Sequence, residues 1–293
     1  MMQFKFYITL FSALILSGCS ISNSVSSSDI NIDGVAPAPL DLQINNFIGF
    51  IETIPAKSDQ VEIIVAPGSK METSISNQGG SKIIEGALKK VRRTSCYSNN
   101  GIKRIKLDGK EYNENELPHI QIAMPSSKSI GIWKSSIYGS LGDVKNAKIE
   151  LVGCGQLSIG DILADANIII DGSHDLVTKR TMGNLSILIN GSGDVTINEN
   201  LKPAKLVTNG SGDILFKTQS AQIDYNVNGS GDLDVESGGG IFIANIVGSG
   251  DVDHQGFVVN PKINIIGSGD VNVHEVKGNA NVSKIGSGSF NVK

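Results

Sequence analysis

The second half of the chain alternates apolar and polar residues in short stretches that return with a constant period of 19. The tetrapeptide Gly-Ser-Gly-Asp marks this period, with its first glycine at Gly191, Gly210, Gly229, Gly248 and Gly267. Steps of 19 reach degenerate copies that start at Gly153, Gly172 and Gly286. Because all of these units share one register, we predict a stack in which each unit contacts only its neighbours.

Each unit contains two stretches in which every second residue is apolar. Four residues before the tetrapeptide, the column reads Ile149, Ile168, Ile187, Leu206, Tyr225, Ala244, Ile263 and Val282. A spacing of two places such residues on one face of a β-strand, while the intervening positions, such as Lys148 and Lys205, are polar or mixed. Each unit is therefore predicted to form a strand, a glycine-rich corner, a second strand and a loop.

A single unit cannot bury its apolar face, so the units must stack about 4.8 Å apart. We therefore predict an all-β fold, a single-stranded parallel β-helix (β-solenoid) with 19-residue coils. Right-handed coiling is the default for parallel crossovers and is expected here. A β-sandwich is the alternative, but it does not require an identical step. Lys284 in an inward column and Ser289 in place of the aspartate predict the end of the stack.

Residues 44–128 lack the period but contain further strand-like stretches, including Ile44–Ile54 and Ile120–Met124. We interpret residues 44–128 as an irregular β segment that caps the solenoid, and residues 129–293 as the solenoid itself. The segment is not expected to form a separate domain.

The N-terminal residues predict a cellular location and are not part of the predicted fold. An apolar run, Phe6–Leu16, is too short to span a bilayer and leads into Leu-Ser-Gly-Cys19. This sequence resembles the lipobox of bacterial lipoproteins, which implies a signal peptide at 1–18 and attachment of lipid (palmitate) at Cys19. Ser20 replaces the aspartate that retains lipoproteins at the inner membrane, so the outer membrane is expected. Residues 19–43, rich in serine and proline, are predicted to be a flexible tether.

Composition and charge limit the classes of partner that the chain is expected to bind. The chain has 34 glycines, 18% charged residues and a formal net charge of −4, and nothing indicates nucleic-acid binding. The basic stretch 89–93 is either a solvated loop or a contact for anionic lipid heads or polysaccharide. Cys96 and Cys154 are a possible disulfide, because two thiols in an oxidising compartment can pair.

The order of motifs resembles a known family. A strand pair around Phe47-Ile48-Gly49-Phe50 and a strand that ends in Ile-Ala-Met-Pro125 precede the repeats, and Asn260-Pro261-Lys262 precedes the last Gly-Ser-Gly-Asp. This arrangement is similar to the head GIN domain of auto-transporter adhesins over residues 46–290. The resemblance implies adhesion and brings no catalytic residues with it.

Two interpretations remain open for the corner. Its glycines permit positive φ, and its aspartate can accept a hydrogen bond from the N–H two residues later, which is structural. Alternatively, the aspartates form a calcium column. Calcium takes six to eight oxygens, and about one carboxylate per coil is too few, so we favour the structural interpretation and expect no metal or cofactor. The column comprises Asp175, Asp194, Asp213, Asp232, Asp251 and Asp270.

The asparagines that precede the first glycine of the corner in three consecutive coils, Asn190, Asn209 and Asn228, are interpreted as an amide ladder. A stripe that contacts glycans is the alternative.

The sequence gives little support for an enzymatic function. The histidines lie in unrelated contexts, and the chain lacks nucleophile motifs, metal-ligand spacing and phosphate loops. We predict a non-enzymatic, lipid-anchored envelope protein whose adhesin-like solenoid binds a surface partner or glycan or serves a structural role. The alternative is a carbohydrate-active β-helix enzyme, a polysaccharide lyase or hydrolase, which would need a groove with clustered acid and base groups.

Overall fold

The computed structural model describes residues 39–66, 69–88, 94–99, 102–219 and 221–293. The predicted signal peptide, Cys19, most of the tether and the basic stretch 89–93 lie outside these ranges. In the part of the chain that is described, no helix has the length and apolar character needed to cross a membrane. Nearly all regular structure there is β: a 20-stranded sheet, a 3-stranded sheet and a short 3₁₀ helix, Glu114–Glu116.

The repeats form the predicted parallel β-solenoid, with about 9 turns of roughly 19 residues. We call the strands before each glycine-rich corner the first face and those after it the second face. Strands β10, β11 and β12 bend around a corner and belong to both faces, whereas β20 runs from the second face of one coil to the first face of the next. The strands are β10 (Ile130–Leu141), β11 (Ala147–Ile162), β12 (Ala166–Thr181), β13 (Leu185–Gly191), β14 (Val195–Asn200), β15 (Ala204–Gly210), β16 (Ile214–Gln219), β17 (Ile223–Gly229), β18 (Leu233–Val235), β19 (Gly239–Gly248), β20 (Val252–Gly267), β21 (Val271–Lys277), β22 (Asn281–Gly286) and β23 (Phe290–Val292).

Each strand pairs in parallel with its copy one coil away. Ile187, for example, lies in register with Ile168 on one side and Leu206 on the other. All three side chains are fully buried and belong to one hydrophobic cluster that runs through the solenoid. The predicted inward columns are therefore confirmed, and they supply the core.

The corner glycines are required by contact between coils. Gly210 has φ +138°, and a Cβ atom there would lie 2.2 Å from the carbonyl oxygen of Gly191 in the preceding coil. Real Cβ atoms do not approach an oxygen so closely, and the positive φ is unfavourable for other residues. Any larger residue at this column would push neighbouring coils apart.

The interior is not uniformly apolar. Thr181, Asn200 and Gln219 occupy one inward column of the second face, and all three are fully buried. Asn200 donates from Nδ2 to Oε1 of Gln219 at 2.9 Å, so the two amides form a short internal ladder. Sequence analysis did not anticipate this buried polar column.

The constant sequence step hides one local shift. Gly239 pairs with Phe257, a step of 18 along the chain, whereas Ala244 pairs with Ile263, a step of 19. The pairing of β20 with β21 changes from a step of 19 at His254 to a step of 18 at Phe257. An irregularity near Asn260, which has φ 43°, restores the usual step.

The N-terminal strands do not stack in chain order. Strands β1 and β2 form a coil next to β10, and the later strands β5 and β9 lie on the far side of that coil. Strands β3 and β4 then add to β9 and β5 in antiparallel orientation. These strands are β1 (Leu42–Asn45), β2 (Ile48–Ile54), β3 (Glu62–Val65), β4 (Ser74–Gln78), β5 (Ser81–Glu85) and β9 (His119–Ala123).

A small antiparallel sheet lies outside the solenoid wall. It contains β6 (Thr94–Asn99), β7 (Ile102–Leu107) and β8 (Lys110–Asn113). Ile105 and Leu107 pack with Ile48 and Tyr138 of the solenoid in a second hydrophobic cluster. A disulfide between Cys96 on β6 and Cys154 on β11, with Cα atoms 6.0 Å apart, joins the sheet to the solenoid in the structure.

The handedness of the coils and the predicted domain boundaries stay predictions. All described residues, which begin at position 39, fall within one compact unit, Ile32–Lys293.

A matched pair of substitutions on β20 tests the register. Ile263 is buried in an inward column, and its neighbour Lys262 is exposed. We expect Ile263→Asp to lower the melting temperature strongly, because an unpaired buried carboxylate costs several kcal/mol. Lys262→Asp should change it little. Thermal denaturation followed by circular dichroism measures both, and equal shifts would contradict the observed register.

Candidate functional site

The aspartates of the corners form a ladder that links successive coils. Each Oδ1 atom accepts a hydrogen bond from the backbone N–H of the residue at the same position one coil later, at distances from 2.7 to 3.2 Å. The expected bond to the N–H two residues later in the same coil is therefore wrong for this column. The ladder comprises Asp175, Asp194, Asp213, Asp232, Asp251, Asp270 and Ser289.

Stacking like charges leaves some repulsion in this ladder. Burial raises the pKa of Asp213, and the carboxylates of Asp232 and Asp194 raise it further, against the opposing effect of the N–H of Asp232. Burial likewise raises the pKa of Asp234, with Asp253 and other nearby carboxylates adding to the effect. Burial is thus the main cause of both shifts, and the backbone N–H of Asp232 counteracts the repulsion at Asp213.

A metal site is not apparent in this ladder. Within the described ranges, no group of three or more His, Cys, Asp or Glu side chains is arranged to hold a metal ion. One oxygen of each carboxylate in the ladder is already committed to a backbone N–H. The calcium column stays a hypothesis.

The predicted asparagine ladder is present in part. Asn209 donates to Oδ1 of Asn190 at 3.0 Å, and Asn190 donates to Asp171 at 2.7 Å. Asn228 lies in backbone register with Asn209. These amides make hydrogen bonds between coils, as the structural interpretation expects, and a role in glycan contact stays a prediction.

A second side-chain ladder was missed. It uses the position seven residues before the first glycine of a corner, which is Asn146, Asp165 or Asn184 in three consecutive coils. Asn146 accepts a hydrogen bond from the N–H of Asp165 at 3.2 Å, and Asp165 accepts one from the N–H of Asn184 at 2.8 Å. Asn260 and Asn279 repeat the contact at 3.0 Å. The recurrence of Asn and Asp at this position was the available sequence signal.

His174 and His254 are structural. Nε2 of His174 accepts a hydrogen bond from the N–H of Ile137 at 3.2 Å, and Nδ1 lies 3.1 Å from the carbonyl oxygen of Asp175. Burial lowers the pKa of His174 to about 4, so the ring is neutral at physiological pH. Burial also lowers the pKa of His254, which packs edge-on against Phe242.

Aromatic side chains continue the row of the aspartates at the N-terminal end. His119, Phe50 and Tyr138 lie in register on three adjacent strands. The ring of Phe50 stacks on those of His119 and Tyr138, with centroids 4.5 and 5.5 Å apart. Tyr138 is in turn in register with Gln156, and Gln156 with Asp175, the first aspartate of the ladder.

The aromatic row lines a cleft. Its volume is about 510 Å³, and its polar lining includes Glu52, Gln121 and Ser140, which are in register with one another. A second pocket of about 700 Å³ adjoins it and shares Ala66, Glu114 and His119. The loop Asn113–Leu117 and the outer sheet form the far wall.

The cleft of about 510 Å³ is acidic. Glu52 and Glu114 line it, and no Lys or Arg is among its described lining residues. Arg104 lines the larger pocket, where its guanidinium is paired with Glu111 at 2.6 Å. Burial raises the pKa of the Tyr138 hydroxyl, and the carboxylate of Asp175 raises it further. The cleft therefore offers a negative environment beside aromatic rings.

Comparisons with known proteins agree with this architecture. Residues 181–293 match the family described as "Putative auto-transporter adhesin, head GIN domain", which confirms the resemblance over that range, although the sequence prediction had extended it to 46–290. No curated protein sequence matches the chain.

Two solved structures were matched to the chain, and they align with it to different extents. One is a "Putative lipid binding protein" from Parabacteroides distasonis ATCC 8503, which is 16% identical with a TM-score of 0.51 and covers 88% of this chain and 94% of its own. The other is a "putative cell adhesion protein" from Clostridium sporogenes ATCC 15579, which is 11% identical with a TM-score of 0.20 and covers 86% and 91%. At this identity the first shows a shared fold alone.

The aspartate ladder predicts no dependence of stability on calcium. A site with a dissociation constant of ~10 μM would stabilise the fold by about 2.7 kcal/mol at ~1 mM free ion, which is several degrees in melting temperature. We expect no such shift, because each ladder carboxylate has one oxygen engaged by backbone. Melting with calcium and with chelator tests this. A calcium-dependent rise that is abolished in Asp213→Asn/Asp232→Asn would refute the structural interpretation.

Proposed function

We propose that this chain is a non-enzymatic, lipid-anchored protein of the bacterial cell envelope that binds a surface glycan through the cleft at the N-terminal end of its solenoid. The match of residues 181–293 to an adhesin head domain supports a binding role. The observation that carries the proposal is the cleft itself, where the aromatic row and the polar row meet the outer sheet.

The size and lining of the cleft suit a saccharide. Small-molecule sites commonly measure about 300–1,000 Å³, and the cleft falls within this range. Gln121, Glu52 and Ser140 project from adjacent strands, about 4.8 Å apart. This row presents an amide, a carboxylate and a hydroxyl to a ligand that carries several hydroxyl groups. We expect specificity to depend mainly on these hydrogen-bonding groups.

Charge favours one kind of glycan. Glu52 and Glu114 repel uronic acids and other anionic sugars, whereas neutral and amino sugars meet no such penalty. We therefore propose a neutral or amino-sugar glycan as the ligand.

The proposed location at the cell envelope rests on the N-terminal sequence. The lipobox-like Leu-Ser-Gly-Cys19 supports a lipid anchor, and Ser20 supports the outer membrane. Residues 19–43 then act as a tether between the membrane and the solenoid.

Binding to the cleft is tested with the full chain carrying Cys19→Ser. Titration calorimetry with oligomers of N-acetylglucosamine, of glucosamine and of galacturonate should show binding of one of the first two only. We expect Glu52→Ala and Gln121→Ala to weaken that binding at least about tenfold, since each removes a direct hydrogen bond.

Thr196→Ala is the matched control, because Thr196 lies on the same outward row three coils from Ser140. Equal affinity in all variants, or no binding of any oligomer, would contradict the proposed site. Release of new reducing ends during the titration would instead favour the hydrolase or lyase alternative.

Lipid attachment is tested separately. The unchanged protein should fractionate with membranes and carry acyl mass on the peptide that begins at Cys19. Cys19→Ser should remove the acyl mass in mass spectrometry and release the protein from membranes. Unaltered membrane association of this variant would refute the anchor.

A further inference from the structure

Both ends of the solenoid leave strand edges unpaired in the described chain. At the C-terminal end, β22 pairs with β20 and β23 with β21, and no described strand covers their outer edges. At the N-terminal end, β4 and β3 pair with β5 and β9 and are likewise uncovered. The three most exposed large apolar side chains of the described residues lie on these end strands: Ile285 (66%), Val292 (55%) and Ile64 (52%).

We propose that these ends bind each other, so that a second copy of this chain stacks head to tail on the first. Strands β4 and β3 of one copy would then add to β22 and β23 of the next. This inference concerns a surface separate from the cleft and does not depend on the proposed glycan ligand.

Strand direction permits this contact on both faces at once. Every pairing from β5 to β22 on the first face and from β9 to β23 on the second is parallel. Strands β4 and β3 run in the opposite direction. In a coaxial stack, β4 on β22 and β3 on β23 are therefore both antiparallel, which is the pairing that β4 and β3 already make within one chain.

The stack also continues the hydrophobic core. At the N-terminal end, Ile75 lies in register with buried Ile84 and is itself 42% exposed. At the C-terminal end, Val282 and Val292 lie in register with buried Ile263 and Val273. These residues are the uncovered ends of inward columns, so an incoming copy would bury apolar surface that water now contacts.

Charge distinguishes the two possible partners for the C-terminal end. Lys284 on β22 is exposed and lies in register with buried Ile265, at the end of an inward column. A head-to-tail contact places one Lys284 at each interface. A tail-to-tail contact would place Lys284 of both copies on one short strand pair, where like charges destabilise the pairing.

Lys284 therefore disfavours a contact between two C-terminal ends. Because a head-to-tail contact uses two different surfaces, it leaves one end of each kind free and can extend into an open row of molecules.

Single cysteines placed at the two ends test the geometry in the full chain carrying Cys19→Ser. Ile75→Cys and Val282→Cys are prepared as separate proteins and oxidised alone and as a mixture. We expect a disulfide-linked dimer only in the mixture, because the head-to-tail contact brings Ile75 of one copy near Val282 of the next. A dimer of Val282→Cys alone would show a tail-to-tail contact and overturn the proposal.

Sedimentation velocity supplies the second measurement. The weight-average mass of the Cys19→Ser protein should rise with concentration. Ile75→Lys should weaken this association at least about tenfold, because it places a charge opposite Val282 and close to Lys284. Lys217→Gln, on β16 in the middle of the solenoid, is the control and should not change it. A monomer at all concentrations without cross-links in the mixture, or association unaffected by Ile75→Lys in a variant with an unchanged melting temperature, would overturn the proposal.

Discussion

Parallel pairing of each strand with its copy in the next coil is the constraint on which the rest of the structure depends. It places identical positions of successive units about 4.8 Å apart, so a column of the sequence becomes a column of the molecule. Apolar columns such as that of Ile187 become core without any further requirement. Glycine at Gly210 is then compulsory, because the carbonyl of the preceding coil occupies the place of a side chain.

The same constraint creates a problem for charged columns, and the chain solves it through the backbone. Aspartates at one corner position must stack on aspartates. Each Oδ1 accepts the N–H of the next aspartate, which partly offsets the repulsion and satisfies a corner N–H that the strand ladder leaves free. The pKa of Asp213 is raised mainly by burial, and the N–H of Asp232 acts against that shift. The ladder is best understood as part of the scaffold, with its second carboxylate oxygens contributing to a negative surface.

The sequence predicted the repeat and its core because there the residue that matters is a fixed number of positions away. It could not predict the cleft, because Phe50 and His119 meet only after β5 and β9 have been placed outside the coil formed by β1 and β2. The hydrogen-bond partner of each aspartate was also mispredicted. The two-residue Asx-turn is the common local choice, and the neighbouring coil offers a competing N–H that local reasoning does not contain.

These differences explain why the candidate binding groups lie where the 19-residue repeat is lost. A regular column offers the same group at every coil, which suits a scaffold or an extended surface. A small ligand instead needs different groups at defined positions. The row from Asp270 to Asp175 changes to Gln156, Tyr138, Phe50 and His119 only in the N-terminal coils. There the outer sheet, joined to β11 through Cys96 and Cys154, adds a second wall. The non-sequential cap therefore supplies the diversity from which a binding site can be built.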